Sequence, residues 1–347
     1  MMNFGGEALS KVDFRDAKVL VTGASGFLGG HLVRELVRQG YSVAGMVRKT
    51  SDIRRLENLG VEVRFGDLTD SASLVEATKG IDVIMHLAAY YTFSGKSELY
   101  MKVNVEGTKS LCEAAVKNTV KRIFYCSSTE AIGPVSRPPG DENTPPNPQY
   151  EYGRSKLMAE NIVRSFAVRG LEYTIIRPTG IYGPENVDDV SYWFITSFAK
   201  RSLATRIIVG SGQNLIQFVH VQDAVRGFLL ALNKLDTSKN QTYIISEDRA
   251  YTYNEVYKIL SEICKIDPPS IHISPLLAKL LIAPVGFVKR RLGDENFMWR
   301  VSTVDSVSSD RCYSIEKAKR ELGYQPNYDL RKGLEETVKW YRDSGMI

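Results

Sequence analysis

The sequence predicts an α/β protein with a doubly wound parallel β-sheet and a smaller, mainly helical C-terminal domain. Short apolar runs alternate with helical patterns through the first half of the chain, which is typical of parallel strands buried on both faces. The alternation weakens after residue 178, and from about residue 251 the pattern is helical and irregular. A chain of 347 residues is long enough for one large domain or two closely joined ones.

Each element can be placed from its local pattern. The first strand, residues 18–23 (KVLVTG), is followed by a helix over 27–40 that ends at a glycine. Further strands are predicted at residues 41–47, 61–67, 82–89, 121–128, 173–178 and 241–246, with a helix over 220–235 before the last of them. The predicted parts are an N-terminal extension (1–15), a sheet domain (16–180 plus 213–250) and a second domain (181–212 plus 251–347).

Composition and charge exclude several classes of protein. An apolar fraction of 43% and a charged fraction of 24% are ordinary for a globular chain. The net charge of +5 is mild and the basic residues are scattered, which suits an anionic small molecule rather than a nucleic acid. The N-terminus does not resemble a secretion signal. No apolar run reaches the roughly 20 residues that a transmembrane helix needs.

Cysteine and histidine usage adds two expectations. The four cysteines lie far apart without a C-x-x-C spacing, which predicts reduced thiols and a cytoplasmic protein. The four histidines share no metal-ligand spacing, so no metal site is predicted. His86 is expected to pack beside the sheet rather than to act as a base.

A glycine-rich turn, GASGFLG at residues 23–29, joins the first strand to the first helix. Glycines at this point permit a tight turn and a close approach of the backbone to a pyrophosphate, which the N–H groups of the helix N-terminus attract. The position of the turn at the first crossover of a βαβ series predicts a dinucleotide-binding site. The residues expected to hold the cofactor in this turn are Gly23, Ser25, Gly26, Phe27, Leu28 and Gly29.

The ends of the next strands indicate which dinucleotide is preferred. The second strand is followed by Arg48, where an NAD-preferring site usually carries an acid for the ribose hydroxyls. A guanidinium accommodates a 2′-phosphate instead, so NADP is slightly favoured over NAD. Asp67 and Leu68 are expected near the adenine, and Ala88 leaves room for the dinucleotide.

A tyrosine–lysine pair opens a predicted helix that follows these strands. Tyr152 and Lys156 are four residues apart and therefore share one helix face. A phenol with a pKa near ~10 is a poor base at neutral pH, and a neighbouring ammonium stabilises its phenolate form. Ser128 ends the preceding strand, so a parallel sheet would bring it to the same edge. The pattern predicts that Tyr152 moves a proton and Ser128 holds the reacting oxygen while a hydride passes to or from nicotinamide.

Several segments make the chain resemble the extended short-chain dehydrogenase/reductase family, also called the NAD-dependent epimerase/dehydratase superfamily. Besides the glycine turn, they are GDL (66–68), HLAA (86–89), NVEGT (104–108), CSSTEAIGP (126–134), YGRSK (152–156), RPTGIYGP (177–184) and KRELGYQP (319–326). The resemblance covers about residues 17–342.

This resemblance implies a Rossmann sheet and a catalytic triad of Ser128, Tyr152 and Lys156. It also implies that Asn104 is a structural anchor near the site. Pro178 and Tyr182 would line the nicotinamide pocket. A homodimer would form through helices such as 102–118 and 152–170.

Members of this family share a fold and a triad but differ in chemistry. Residues 210–225 and 297–326 resemble the 3β-hydroxysteroid and sterol dehydrogenase branch, which implies hydride transfer to or from a secondary alcohol or ketone. One alternative is a nucleotide-sugar 4-epimerase with tightly bound NAD. Residues 291–294 resemble the Arg-x-Gly-Asp element of such epimerases, but they lie farther ahead of the LGY segment (322–324) than that element does. Another is a 4,6-dehydratase with Glu130 as its base. A further alternative is that the protein is not an enzyme but a sensor that binds NADP without turnover.

Two features bear on the substrate, which is expected to be a small molecule. The aromatic segment YYTF (90–93) is suited either to packing an apolar ring system or to filling the protein core. Glu130 is expected to form a structural ion pair rather than to act as a base. The candidate substrate contacts are Tyr91, Thr129, Glu130 and Tyr182.

The apolar segment 275–292 ends in basic residues and contains a proline. We expect it to pack as a cap helix on the substrate domain, because amphipathic stripes mostly face cores. Peripheral contact with a membrane surface and a lid over an apolar substrate are the alternatives.

Overall fold

The computed structural model of the protein describes residues 17–91, 96–293 and 299–347. The predicted N-terminal extension, residues 1–15, lies outside the described residues. The same holds for Thr92 and Phe93 of the aromatic segment 90–93 and for the last residue of the Arg-x-Gly-Asp element.

The strands lie close to the predicted positions. In chain order they are β1 (Lys18–Thr22), β2 (Ser42–Val47), β3 (Glu62–Phe65), β4 (Val83–His86), β5 (Arg122–Cys126), β6 (Glu172–Pro178), β7 (Gly180–Tyr182), β8 (Ile207–Val209), β9 (Leu215–Ile216), β10 (Phe218–His220), β11 (Gln241–Ile245), β12 (Tyr251–Thr252) and β13 (Ile271–Ile273). Seven of them form one parallel sheet in the order β11-β6-β5-β4-β1-β2-β3. The doubly wound sheet is confirmed, and its strand order reverses between β1 and β4, where such sheets bind ligands.

The helices are α1 (Phe27–Arg38), α2 (Arg54–Asn58), α3 (Ser71–Ala77), α4 (Ser97–Leu99), α5 (Gly107–Lys117), α6 (Glu151–Ser165), α7 (Val190–Ala199), α8 (Val221–Asn233), α9 (Leu235–Ser238), α10 (Tyr253–Cys264), α11 (Pro275–Arg291), α12 (Val301–Val307) and α13 (Leu330–Asp343). A π-helical segment, Tyr100–Glu106, joins α4 to α5. Within the described ranges, no helix is both long and apolar enough to cross a bilayer.

Burial explains why the strands are continuously apolar. All five residues of β5 are buried, as is every residue of β4. One apolar core, on one side of the sheet, includes residues of α1 and α8, and a second core includes residues of α3, α5 and α6. The sheet is therefore covered on both faces, as its apolar runs require.

The remaining short strands form three two-stranded sheets: β7 with β10, β9 with β12, and β8 with β13. A third apolar core joins α7, α10 and α13 around them. Residues 215–220 belong to these small sheets, and the part of 213–250 that serves the large sheet begins at α8. The substrate half is thus mainly helical, with its short strands next to the carboxyl end of β6.

Candidate active site

The glycine turn lies between β1 and α1, and its geometry depends on the absence of side chains. Gly23 has a φ of +70°, and a Cβ atom there would lie 2.9 Å from the backbone nitrogen of Ala88. A Cβ atom on Gly29 would lie 2.0 Å from the carbonyl oxygen of Gly23, so glycine alone lets α1 start this close to β1. Gly26 is the N-cap of α1 and brings no side-chain hydrogen bond to it. The first N–H groups of the helix therefore lack a side-chain cap, as an anion site requires.

A buried pair, Thr22 and His86, fixes the ends of β1 and β4 beside this turn. The Thr22 hydroxyl oxygen lies 2.8 Å from Nδ1 of His86 and accepts the N–H groups of Leu87 and Ala88 at 3.1 and 3.0 Å. Nε2 of His86 lies 3.0 Å from the Thr108 hydroxyl. Burial lowers the pKa of His86 to about 3, so the ring is neutral and holds the sheet edge together.

The predicted adenosine contacts differ in what they do. Arg48 is exposed directly after β2. Asp67, after β3, accepts the Thr69 N–H and hydroxyl at 2.8 and 2.7 Å, and these bonds hold the pKa of its carboxyl group below the usual value. Leu68, in contrast, is 7% exposed and packs in the core against Gly107, where a Cβ atom would lie 2.7 Å from the Cβ atom of Leu68. The side chain of Leu68 therefore supports the site from below and does not reach its surface.

These residues fit a bound dinucleotide. The turn offers an uncapped helix N-terminus and backbone without side chains for a pyrophosphate. Ser25 and Gly26 are exposed at its tip, while Phe27 and Leu28 are half-buried at the start of α1. Ala88 keeps the strand opposite the turn free of bulk, and a carboxylate and a guanidinium follow the two neighbouring strands.

Ser128 and Tyr152 meet at the carboxyl end of β5. Ser128 has an extended backbone and accepts the Glu130 N–H at 3.1 Å at the start of a short 3₁₀ turn. The Ser128 hydroxyl also lies near the phenol of Tyr152, which is in the first turn of α6. Gly153 makes this contact possible, because a Cβ atom there would lie 2.3 Å from the Glu130 carbonyl oxygen. The glycine of YGRSK therefore lets α6 approach the serine turn.

The electrostatics of Tyr152 differ from the expectation. Burial raises the pKa of its phenol, and the nearby Ser128 hydroxyl offsets only part of this effect. Nζ of Lys156 lies 5.7 Å from the centre of the Tyr152 ring and donates to the Cys126 carbonyl at 2.8 Å. Burial in turn lowers the pKa of Lys156. The protein alone therefore keeps Tyr152 protonated at neutral pH, because the ammonium group is bound to a carbonyl oxygen and not to the phenol.

Asn104 ties three elements together next to Tyr152. It lies in the π-helical segment, and its side chain exchanges hydrogen bonds with the backbone of Tyr90 at 2.6 and 3.1 Å. Its Nδ2 also donates to the Ser155 hydroxyl at 3.0 Å, and Ser155 donates to the Tyr152 carbonyl at 2.8 Å. This is the position of a structural anchor, since it fixes the loop after β4 against the start of α6.

A buried ion pair, which sequence reasoning missed, lies beneath the serine turn. The carboxylate of Glu160, with no exposed surface, accepts two bonds from Arg177 at 2.8 and 2.7 Å and one from Ser127 at 2.6 Å. Arg164 adds a third cationic contact at 2.9 Å. The pair anchors β5, α6 and β6 to one another, and the signal that could have revealed it was the glutamate four residues after Lys156 on the same helix.

Comparison with known proteins identifies the family. Residues 19–246 match the NAD-dependent epimerase/dehydratase family. The chain belongs to this family. Members are enzymes that use a nicotinamide dinucleotide, which agrees with the glycine turn and the Ser128–Tyr152 contact.

Relatives within the family include sterol-related proteins. The sterol demethylase protein B of Methylococcus capsulatus is 31% identical over 94% of this chain and 99% of its own length. The 3-beta-hydroxysteroid dehydrogenase of Mycolicibacterium neoaurum is 28% identical over 94% of this chain and 92% of its own length. The resemblance to the sterol branch is therefore confirmed along nearly the whole sequence.

Solved structures share the fold. The crystal structure of gox2253 is 29% identical, with a TM-score of 0.81 over 96% of this chain and all of that chain. MoeE5 in complex with UDP-glucuronic acid and NAD is 28% identical, with a TM-score of 0.74 over 94% of this chain and 99% of that chain. The fold of this chain is thus one that holds NAD in a related protein.

Glu130, which follows Ser128 and Thr129, has a structural role. Oε1 of Glu130 accepts a hydrogen bond from Nε of Arg311 at 3.0 Å, and the arginine side chain is only 8% exposed. Arg311 also donates to the Tyr150 hydroxyl at 2.9 Å and to the Ser306 carbonyl at 2.7 Å. The expected ion pair is present, and it connects the serine turn to α12. A carboxylate held in this way is poorly suited to be the base of a dehydratase.

The other candidate substrate contacts separate into two groups. Tyr91 packs against Tyr152, with the centres of the two rings 4.9 Å apart in an edge-to-face contact. Thr129 is buried, with only 4% of its surface exposed. The structure therefore places Tyr91 beside Tyr152 and buries the Thr129 side chain within the protein.

The structure contradicts the expectation that the side chain of Tyr182 lines the nicotinamide pocket. Tyr182 is 1% exposed, donates to Glu247 at 2.8 Å and packs so closely on Gly333 that a Cβ atom there would lie 2.1 Å from its hydroxyl. Its side chain lies in the core of the substrate half, because β7 pairs with β10 and joins that core. Pro178 ends β6 and is buried at the sheet edge.

The described residues contain no group of three or more potential metal ligands.

Proposed function

We propose that this protein transfers a hydride between NADP and a secondary alcohol or ketone of an apolar, sterol-like molecule. The observation that carries the proposal is the proximity of the Ser128 and Tyr152 hydroxyls at the carboxyl edge of the sheet, which also bears the glycine turn. The names of the sterol-related relatives support the choice of substrate class.

The chemistry assigned to the chain is proton transfer and positioning. The bound nicotinamide supplies or accepts the hydride. Because burial keeps Tyr152 protonated, its phenol is suited to give a proton to a carbonyl oxygen as that carbon is reduced. Ser128 would hold the same oxygen, and Lys156, whose Nζ lies 5.7 Å from the Tyr152 ring centre, would supply positive charge nearby.

Aromatic rings beside the phenol support an apolar substrate. The rings of Tyr91 and Tyr100 contact Tyr152 with centre-to-centre distances of 4.9 and 6.4 Å. Tyr90 packs on Tyr100 at 5.0 Å. A wall of this kind buries ring systems well and offers few partners to a sugar nucleotide.

The preference for NADP and the state of assembly are part of the proposal. Arg48 is exposed after β2, where a 2′-phosphate would be accommodated. Met101, just before the first proposed dimer helix (102–118), and Met158, on the second (152–170), are 39% and 42% exposed and support a homodimer through these helices. We place the protein in the cytoplasm because its four cysteines are unpaired.

The test is a reduction assay with NADPH and a 3-ketosteroid. The native protein should consume NADPH and form the alcohol, and Tyr152→Phe should lower kcat by roughly 10²- to 10⁴-fold while dinucleotide affinity is kept. Tyr173→Phe, at the amino end of β6, is the matched control and should behave as the native protein. Full activity of Tyr152→Phe would refute the assignment. Conversion of a UDP-sugar without net change in the cofactor would establish the epimerase alternative.

A further inference from the structure

Helix α11 exposes an apolar face to solvent. Of the eighteen large hydrophobic residues that are exposed in the described chain, eight lie between positions 276 and 292. Leu276 is 70% exposed, Leu280 64% and Phe287 56%. The other five are Leu277, Leu281, Val285, Val288 and Leu292. At 1.5 Å per residue, the 17 residues of α11 make this face about 25 Å long.

The opposite face of α11 is held by close packing. Ala278 is 2% exposed, and a Cβ atom on Gly286 would lie 2.0 Å from the Trp299 carbonyl oxygen. Lys279 pairs with Asp305 of α12 at 2.5 Å. These contacts fix the rotation of the helix, so its leucines point away from the protein. The expected cap helix is therefore present, but its apolar stripe does not face the core.

The chain handles its other amphipathic helices differently. In α13 the apolar residues Leu330, Leu334 and Val338 are buried. In α8 the residues Phe228 and Leu229 are buried in the same way. A water-exposed apolar face of the length seen in α11 is unusual for a monomeric protein and marks an interaction surface.

Charge indicates which surface α11 meets. Pro275–Arg291 contains no acidic residue and four basic ones; Lys279 is paired with Asp305 on the packed face, and the other three are consecutive at positions 289–291. The guanidinium of Arg291 lies 4.8 Å from the centre of the exposed Phe287 ring. An apolar face with basic residues at its end is the pattern of a helix that lies in the interface of an anionic bilayer.

We propose that α11 docks on an anionic lipid surface, with its leucines among the acyl chains and its basic end at the headgroups. Helix α12, which carries Lys279's partner Asp305, also bears Ser306, whose hydroxyl lies 2.7 Å from that of Tyr150. The docked face is therefore joined to the helix start that carries Tyr152. The proposal goes beyond the proposed function and does not depend on the identity of the substrate.

The test is flotation of the full chain with vesicles of equal parts phosphatidylcholine and phosphatidylglycerol, and with phosphatidylcholine alone. The native protein should float with the anionic vesicles, less with the neutral ones, and less at high salt. Leu280→Glu and Phe287→Glu should each lower the partition coefficient by roughly tenfold or more, since a buried apolar side chain is replaced by an anion. Both positions are exposed, so the variants should fold.

Val168→Glu is the matched control, because Val168 is 92% exposed in the turn after α6 and lies outside the proposed surface. It should float as the native protein does. Failure of the native protein to float, or equal flotation of Leu280→Glu, would overturn the proposal. Loss of a dimer in Leu280→Glu with flotation unchanged would show that a second copy covers the face. Activity on a water-soluble ketone should be the same in native protein and Leu280→Glu, which separates this test from that of the reaction.

Discussion

Two buried carboxyl groups show that two regions of the molecule are stabilised differently. One region is the carboxyl edge of the sheet beneath Ser128, and the other is the seam of the substrate half, where Glu247 contacts Tyr182. Glu160, beneath the serine turn, contacts two arginines, and although burial favours its neutral form, Arg177 holds its pKa below the usual value. Glu247, just after β11, is 1% exposed and receives the Tyr182 hydroxyl at 2.8 Å. Burial raises the pKa of Glu247 to about 8, and nearby carboxylates add to the effect.

The difference indicates where the fold tolerates change. The edge that carries Ser128 is held by charges that stay paired over the working pH range. The seam beside it is held by a neutral carboxyl group and tyrosines. The dinucleotide half is therefore expected to be rigid, and the substrate half is expected to respond to pH and to substitution.

The largest expected effect tests the rigidity of the dinucleotide half. Gly29→Ala would place a Cβ atom 2.0 Å from the Gly23 carbonyl oxygen, and a backbone atom cannot move away cheaply. We expect a loss of about 3 kcal/mol in unfolding free energy and a drop of roughly 100-fold in NADP affinity. Gly30→Ala is the control, because its Cβ atom would lie 3.7 Å from the nearest atom, a flexible arginine nitrogen. Calorimetry of both variants decides; equal NADP binding would contradict the rigid-turn account.

The next effect concerns the connection between the two halves. Arg311→Met would leave the Glu130 carboxylate without its partner, and we expect a loss of about 3 kcal/mol in urea unfolding. The double variant with Glu130→Gln should recover a large part of that loss, since no charge is then left unpaired. Glu130→Gln alone should keep most of the turnover. If it abolished turnover while stability was kept, Glu130 would be a catalytic base.

The protonated Glu247 in the seam predicts that the free energy of unfolding falls as the pH rises. The folded state holds the proton on Glu247 up to about pH 8, whereas a free glutamate loses it near 4.5, so stability is fully present below 4.5 and is lost as the pH rises through 8. Glu247→Gln should be about 2 kcal/mol more stable than the native protein at pH 8, and its stability should change less with pH. Glu160→Gln should be less stable, because Arg177 loses its partner. Chemical unfolding at several pH values measures both, and a destabilised Glu247→Gln at pH 8 would contradict this account.

The smallest effect concerns cofactor choice. Arg48 is exposed, so its attraction for a 2′-phosphate is partly screened. Arg48→Ala should weaken NADP binding by roughly fivefold to tenfold and leave NAD binding nearly unchanged. Titration with both dinucleotides measures this ratio. An equal loss for both would place Arg48 against the adenine ring instead.

Local signals were sufficient to predict the sheet and the centre of the site. The glycine turn, Ser128, Tyr152 and Lys156 each stand at the end of a strand or the start of a helix, so parallel strand order alone brings them together. The position of Asn104, by contrast, was implied by family resemblance, and its contacts depend on a π-helical turn that the sequence does not announce.

What the sequence did not predict depends on contacts between distant residues. An ion pair was expected for Glu130, but its partner Arg311 lies 181 positions away and no motif connects the two. Tyr182 lies within the RPTGIYGP motif (177–184), but its side chain is turned into the core of the other half by the pairing of β7 with β10. The direction of the pKa shift of Tyr152 depends on how deeply the phenol is buried and on where Lys156 points, neither of which spacing alone can fix.

The most direct test of hydride transfer from NADPH to a ketone follows the hydride itself. NADPH deuterated at C4, in both stereospecific forms, would be incubated with the protein and a 3-ketosteroid, and the product examined by mass spectrometry. We expect one of the two deuterated forms of NADPH to deliver deuterium to the carbinol carbon of the product. We also expect Tyr152→Phe to slow this delivery strongly. Formation of product with the deuterium retained in the cofactor from both forms would contradict this hydride transfer.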